Sequence, residues 1–218
     1  MLAEPASDCQ LCPRLAAMRQ SNRQAHPGWF NGPVPSFGDP DARLLIVGLA
    51  PGLQGANRTG RPFTGDYAGD LLYATLASHG FSAGLYGAVP NDGLQLVDCL
   101  ITNSVRCVPP QNKPDRTEIN TCRRYLEATI GRMPNLRVIL VLGKIAHDST
   151  VAVLGMRPSS ARFAHGACHT LPDGRALISS YHCSRYNTNT RRLTPEMFDT
   201  IFADIRNCIA PTPHPRAV

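Results

Sequence analysis

Lysine is nearly absent from this chain of 218 residues: Lys and Arg together number 22, and only Lys113 and Lys144 are lysines. Long apolar runs are missing as well. No stretch approaches the roughly 18 apolar residues of a membrane span, so no membrane partner is expected. The opening residues, MLAEPASDCQLC, lack a basic region followed by an apolar one, so no secretory signal is expected. There is no Gly-Lys-Ser/Thr phosphate loop and no Gly-x-Gly-x-x-Gly fingerprint, which argues against a nucleotide cofactor. No internal repeat is visible. What positive charge there is comes from arginine, and with 16 acidic residues the formal net charge is +6. Arginine favours planar and phosphate partners, so a polyanion such as nucleic acid is a reasonable partner on composition. Without a signal, the eight cysteines read as ligands or buried thiols of a cytoplasmic protein rather than as disulfides.

The stretch Gly48 to Gly69, GLAPGLQGANRTGRPFTGDYAG, organises the rest. It follows Leu44-Leu45-Ile46-Val47, an apolar run with the length and β-branching of a buried strand. It precedes Asp70 to Leu76, whose apolar spacing fits a helix ending near Gly80. A long glycine-rich loop from a strand's carboxyl end into a helix is where open α/β sheets bind ligands. Its six glycines let backbone N–H groups approach a ligand closely.

Along the chain, Cys9-Gln10-Leu11-Cys12 opens a short amphipathic run to about Arg19. Ser21 to Asp41 is rich in Pro, Gly and Asn and reads as a surface wrap. Further apolar runs mark strands at Cys99–Thr102, Arg137–Leu142 and Ala176–Tyr181. Phe81 to Leu96 reads as an irregular connection and Arg157 to Asp173 as a loop or hairpin. Asp115 with Glu118 forms a capping box for a helix through Cys122, Leu126 and Ile130. Gly143 starts another helix, and Thr194-Pro195-Glu196 starts the last, which buries Met197, Phe198, Ile201, Phe202 and Ile205. The alternation predicts an α/β fold: a three-layer α/β/α sandwich around a mainly four-stranded parallel sheet. One domain is expected over 1–209, followed by a disordered tail over 210–218. The strand ends near Gly48, Asn103 and His182 should meet on one edge of the sheet.

Three motifs resemble the uracil-DNA glycosylase superfamily, above all its family-5 (type B) iron–sulfur members. They are GLAPG with Gly55-Ala56-Asn57-Arg58-Thr59-Gly60 and Phe63-Thr64-Gly65-Asp66; Thr102-Asn103-Ser104-Val105-Arg106-Cys107-Val108-Pro109-Pro110; and His182-Cys183-Ser184-x-x-Asn187. The resemblance covers Cys9 to about Ile209, with one departure: Cys183 stands where the family's last motif has proline. It implies DNA containing uracil as the partner, a flipped base in the pocket, and a monomeric enzyme working in the cytoplasm at the nucleoid.

Cys9, Cys12, Cys107 and Cys122 are the candidate metal ligands. Four thiolates in two distant pairs suit a [4Fe–4S] cluster or zinc, and spacing leaves both open. The resemblance selects the cluster, as a structural clamp on the N-terminal segment. Cys99, Cys168, Cys183 and Cys208 read as structural thiols.

Cleaving a base from deoxyribose requires a pocket that stacks the base, reads its edge, stabilises the leaving anion and places a water. Phe63 is the stacking candidate implied by the resemblance. Asn103 can accept uracil N3–H and donate to O4, whereas cytosine reverses both demands. His182 can donate to O2 as charge develops, aided by backbone N–H groups of Gly48, Leu49, Ala50, Pro51 and Gly52, Pro51 itself lacking one. The short stretch Leu49–Gly52 carries no acid or amide, and the resemblance implies Asp66 as the water-positioning base, with Asp70 the alternative. Asn57 is placed among the substrate-binding residues. Arg58, Arg61, Arg185, Asn187, Arg191 and Arg192 are the candidates for DNA contact. Neither lysine falls in a motif, so base release without strand cleavage is expected. Rival readings are an iron–sulfur redox protein, a nucleotide-binding enzyme and a lesion binder without catalysis. The redox reading gives no reason for Asp66, Asn103 and His182 at separate strand ends; the lesion-binder reading stays open, since Cys183 marks a change beside a catalytic candidate.

Overall fold

The computed structural model describes residues 4–210. In chain order the elements are α1 (Pro13–Ala25), β1 (Phe37–Gly38), β2 (Leu44–Gly48), α2 (Ala56–Thr59), α3 (Tyr67–Ser78), β3 (Ser82–Ala83), β4 (Gln95–Leu96) and β5 (Cys99–Asn103). A 3₁₀ turn over Pro110–Asn112 follows, then α4 (Arg116–Gly131), β6 (Val138–Leu142), α5 (Lys144–Val153), β7 (Cys168–Thr170), β8 (Ala176–Ser180), α6 (Arg185–Asn189) and α7 (Pro195–Ile209).

The four apolar runs form the centre of the sheet, in the parallel order β5-β2-β6-β8. Each residue of β2, β5 and β6 is buried, because both faces are covered. Alternate residues serve opposite faces: Leu44 and Ile46 join Phe198, Ile201 and Phe202 of α7 and Leu72 and Leu76 of α3. Leu45 and Val47 join Leu126 and Ile130 of α4 and Ala146 and Val151 of α5. The helix after β2 thus lies on the opposite face from those after β5 and β6, and such a switch opens a crevice at the carboxyl ends of the strands.

Two differences from the expected sheet lie at its edges. β1 pairs antiparallel with β5, and β7 pairs antiparallel with β8, so the sheet has six strands and is mixed. These strands span two and three residues, too few to show an apolar period. The connection between α3 and β5 contains the small antiparallel pair β3–β4. Helix α1 also runs past Arg19 to Ala25, because Leu15, Arg19 and Asn22 form one buried face that the mixed polarity of the segment conceals. The tail beyond Ala210 lies outside the described residues.

Helix starts follow local chemistry. Glu118 Oε2 accepts the Asp115 N–H at 2.7 Å in the expected capping box, and Thr194 accepts the Met197 N–H at 3.2 Å ahead of Pro195. Helix α3 begins three residues before Asp70, with Asp66 as its N-cap accepting the Gly69 N–H at 3.2 Å.

Candidate active site

A cavity of about 490 Å³ opens at the carboxyl ends of β2, β5 and β8. Gly48 and Asn103 are register partners at the ends of β2 and β5, and the Ser104 N–H donates to the Gly48 carbonyl at 2.9 Å. The absence of a side chain at Gly48 makes this corner. A Cβ there would stand 2.4 Å from Asn103 Oδ1 and 2.7 Å from the Phe63 ring, so the glycine admits both. Phe63 has φ +52° and stacks on the His182 ring, with centroids 5.8 Å apart. The Tyr86 hydroxyl fixes that strained residue by donating to its carbonyl at 3.1 Å.

Asn103 is only 3% exposed, yet among the described residues nothing hydrogen-bonds its side-chain amide. The His182 ring nitrogens are equally without partners there. Burial pushes the His182 pKa down to about 4, so the ring is neutral at pH 7 and has one N–H to donate. The Asn187 amide holds the His182 carbonyl at 2.8 Å, fixing the turn from β8 into α6.

Asp66 lines the same cavity, and one oxygen is engaged by the first turn of α3. Burial raises its pKa, the backbone N–H groups of Gly69 and Ala68 oppose the rise, and Asp70 adds to it. Glycines again make the room: a Cβ at Gly55 would stand 2.3 Å from Asp66 Oδ2, and one at Gly52 would stand 3.2 Å away. Asp70 is exposed and outside the cavity lining.

Leu49, Ala50, Pro51 and Gly52 line the cavity, whereas Asn57 does not. Asn57 is 1% exposed, and its amide donates to Asn31 Oδ1 at 3.0 Å, so it anchors the loop instead of facing a ligand. Arg61 corrects the expectation of a DNA contact most clearly. It is 5% exposed, pairs through both terminal nitrogens with Asp92 and lies 5.1–5.8 Å from the centroids of the Phe37, Tyr73 and Tyr86 rings. It braces the loop from within. Arg58 Nε holds the Gln54 carbonyl. Arg185, Arg191 and Arg192 are exposed, with Arg192 over the Tyr181 ring at 4.5 Å.

The sequence reading missed Tyr67, Ser184 and Asn112, all of which line the cavity. Tyr67 and Arg185 open α3 and α6, next to the N-caps Asp66 and Ser184. Arg185 lies 5.1 Å from the Tyr67 ring centroid, so the pair bridges the cavity between the Asp66 and His182 walls. The sequence signal was present for Tyr67, which directly follows Asp66, but not for Asn112, which a left-handed turn (φ +56°) brings in.

The four candidate ligands Cys9, Cys12, Cys107 and Cys122 line one second, smaller chamber with Leu15 and Arg19. The Arg106 backbone N–H donates to Cys122 Sγ at 3.3 Å and the Arg19 guanidinium to Cys107 Sγ at 3.5 Å. Burial pushes Cys122 up to about 12 and raises Cys12 and Cys107 as well, so a thiolate here needs a cation to hold it. Among the described residues no set of three or more Cys, His, Asp or Glu side chains is arranged as a metal site. The expected iron–sulfur clamp is thus not seen; the gathered soft donors, with N–H groups aimed at sulfur, fit such a group chemically. Of the thiols read as structural, Cys99 and Cys183 are buried, whereas Cys168 and Cys208 are exposed. Cys183 packs in the core, where its charge would meet that of Asp66.

Comparison with known proteins agrees with this geometry. The profile of the uracil DNA glycosylase superfamily matches residues 35–206. A type-5 uracil-DNA glycosylase of Thermus thermophilus is 48% identical over 195 residues, covering 87% of this chain and 89% of the relative. The type-5 uracil-DNA glycosylase of Mycobacterium leprae is 42% identical over 209 residues, covering 92% and 91%. A type-4 uracil-DNA glycosylase of Pyrobaculum aerophilum is 34% identical over 137 residues, 62% of each chain. With the three motifs joined at one cavity and this extent of similarity, the chain belongs to the uracil DNA glycosylase superfamily.

Proposed function

We propose that this protein is a monofunctional DNA glycosylase that hydrolyses the N-glycosidic bond of uracil in DNA and leaves an abasic site. The observation that carries the reading is the cavity where the Asn103 amide and the neutral His182 ring, neither with a protein hydrogen-bond partner among the described residues, converge with the Asp66 carboxylate. Their donors and acceptors are open to the cavity, where a ligand with matching groups can pair with them. Uracil offers N3–H to the Asn103 oxygen and O4 to its NH₂. His182 donates to O2 as the bond to the sugar breaks and negative charge moves onto the base, a contribution worth about 3 kcal/mol for one preorganised donor. Asp66 accepts a proton from the attacking water and faces the positive charge on the sugar. Phe63 supplies the apolar face against which the flipped base lies.

Arg58, Arg185, Arg191 and Arg192 are assigned to the DNA phosphates, and Asn187 to holding the His182 turn. Other damaged pyrimidines and deaminated purines are further substrates of this pocket, because Leu49–Gly52 places no polar side chain against the base. Residues 1–209 act as one domain, in the cytoplasm on the nucleoid. Cys9, Cys12, Cys107 and Cys122 hold a [4Fe–4S] cluster that ties the N-terminal segment to the loop after β5. When bound, that cluster supplies structural cross-linking and takes no part in base release.

The test is release of base from a labelled oligonucleotide holding one uracil, for the wild type and Asp66→Asn. Release by the wild type and loss in the variant is expected. Release that survives the substitution moves the base to another residue, and a folded wild type that releases nothing ends the glycosylase reading.

A further inference from the structure

Resting on the proposed cluster, we propose that Arg19 is the built-in counter-cation of the cysteine-bound centre and sets its reduction potential. Arg19 lies on α1, 3% exposed, in the wall of the four-cysteine chamber. Its guanidinium donates to Cys107 Sγ at 3.5 Å and to the Cys9 carbonyl at 2.7 Å. The other buried arginines each have a carboxylate: Arg61 has Asp92 at 2.7 Å, and Arg106 has Glu4 at 2.8 Å. Among the described residues Arg19 has none within ion-pair distance.

An unpaired charge removed from water costs several kcal/mol, which a carbonyl and a neutral thiol do not repay. Glu118 bears on Cys12, but its carboxylate is held by Arg14 at 2.7 Å on the outer side. The chamber therefore holds a cation with no anion, beside four thiols that would become thiolates on binding a metal. Four thiolates around an iron–sulfur core leave a doubly negative group, and that group supplies the missing countercharge. The same placement has a redox consequence. One electron supplied by an electrode would raise the negative charge of such a cluster by one, with no bond formed or broken. A buried cation beside a ligand sulfur stabilises the reduced form more than the oxidised form, and so raises the potential.

Two substitutions separate charge from hydrogen bonding. Arg19→Gln keeps N–H donors toward Cys9 and Cys107 and removes the charge. Arg19→Lys keeps the charge and loses the planar fork. Each full-length protein is purified without oxygen and measured for iron per chain, visible absorption, melting temperature, potential at an electrode and rate of iron loss to a chelator. Arg19→Gln is expected to hold a cluster of lower potential that loses iron at least about tenfold faster, as for other outer partners of metal sites. Arg19→Lys is expected to keep a potential near that of the wild type. A loaded Arg19→Gln with unchanged potential overturns the role of Arg19 and leaves the cluster standing. Should Arg19→Gln not fold, Arg19→Lys decides alone: an unchanged potential supports the charge role and a lowered one overturns it. A wild type that carries zinc or no metal removes the cluster, and the proposal falls with it.

Discussion

Asp66 and His182 face one cavity, yet burial moves their protonation in opposite directions. The carboxyl is raised above its usual value, and the imidazole falls from 6.5 to about 4. Activity should therefore rise with pH through the raised Asp66 pKa and then stay flat across neutrality, because His182 is already neutral there. A pH profile of single-turnover base release checks this; a second limb between pH 6 and 8 would show that a protonated His182 is needed. Stability follows the linkage signs. Below 6.5 the unfolded chain takes up a proton at His182 that the folded chain refuses until about 4, so stability is lost as pH falls through that window. Asp66 acts the other way, binding its proton more readily when folded, and recovers part of the loss as pH falls. Asp66→Asn removes a buried charge while retaining an N-cap acceptor. It should lower base release by about 10²–10⁴-fold and leave the melting temperature equal or higher. A melting temperature lowered by several degrees would show that the carboxylate holds the fold rather than the water.

The loop from Gly48 to Gly69 works as an element because its side chains turn inward to brace it. Arg61 with Asp92 is the central brace: two hydrogen bonds at 2.8 and 2.7 Å join the buried pair, and the first cause of the lowered Asp92 pKa is its bond to Arg61. Removing one partner leaves the other charge buried, so Asp92→Ala should cost about 3–5 kcal/mol in denaturant unfolding. An exposed, screened pair would cost under about 1 kcal/mol, and that result would put Arg61 back among the surface arginines. Gly55→Ala tests the loop without replacing a functional side chain. Its new methyl would meet Asp66 Oδ2 at 2.3 Å, and pushing the carboxylate aside should cost about 10²-fold in rate. Wild-type rates in that variant would mean the carboxylate has room to spare. Such inward roles explain what the sequence hid. Arg61 and Arg58 look alike in a string of letters, and only tertiary packing makes one a brace and leaves the other exposed. Asn57, read as a substrate contact, is likewise consumed by Asn31.

At the scale of the whole molecule, the central sheet was legible because four apolar runs can be buried only between two helical layers. The meeting of Gly48, Asn103 and His182 then followed from strand ends that share one edge. The antiparallel edge strands were not legible, since pairing partners and not composition define them. Nor was the full length of α1, whose buried face holds Arg19 and Asn22. That helix bears directly on the cysteines. Its apolar anchorage is small, with Leu15 packing on Val105, Cys107 and Cys122, and its polar ties are Arg14 to Glu118, Asp115 and the Lys113 carbonyl, Arg19 to Cys107 and Arg23 to the Asn31 carbonyl. So small a cluster holds a helix weakly, and a cross-link through Cys9 and Cys12 to Cys107 and Cys122 would contribute most of its docking free energy. Removing iron, or changing Cys9 to Ala, should therefore lower the melting temperature and open α1 to trypsin at Arg14, Arg19 and Arg23. The sheet, with Phe63 and Ala68 of the cavity, packs in other clusters and should keep its protection. Equal protection of α1 with and without iron would show that Leu15 and the ties of Arg14 and Arg23 suffice, and that the cysteines serve something other than docking.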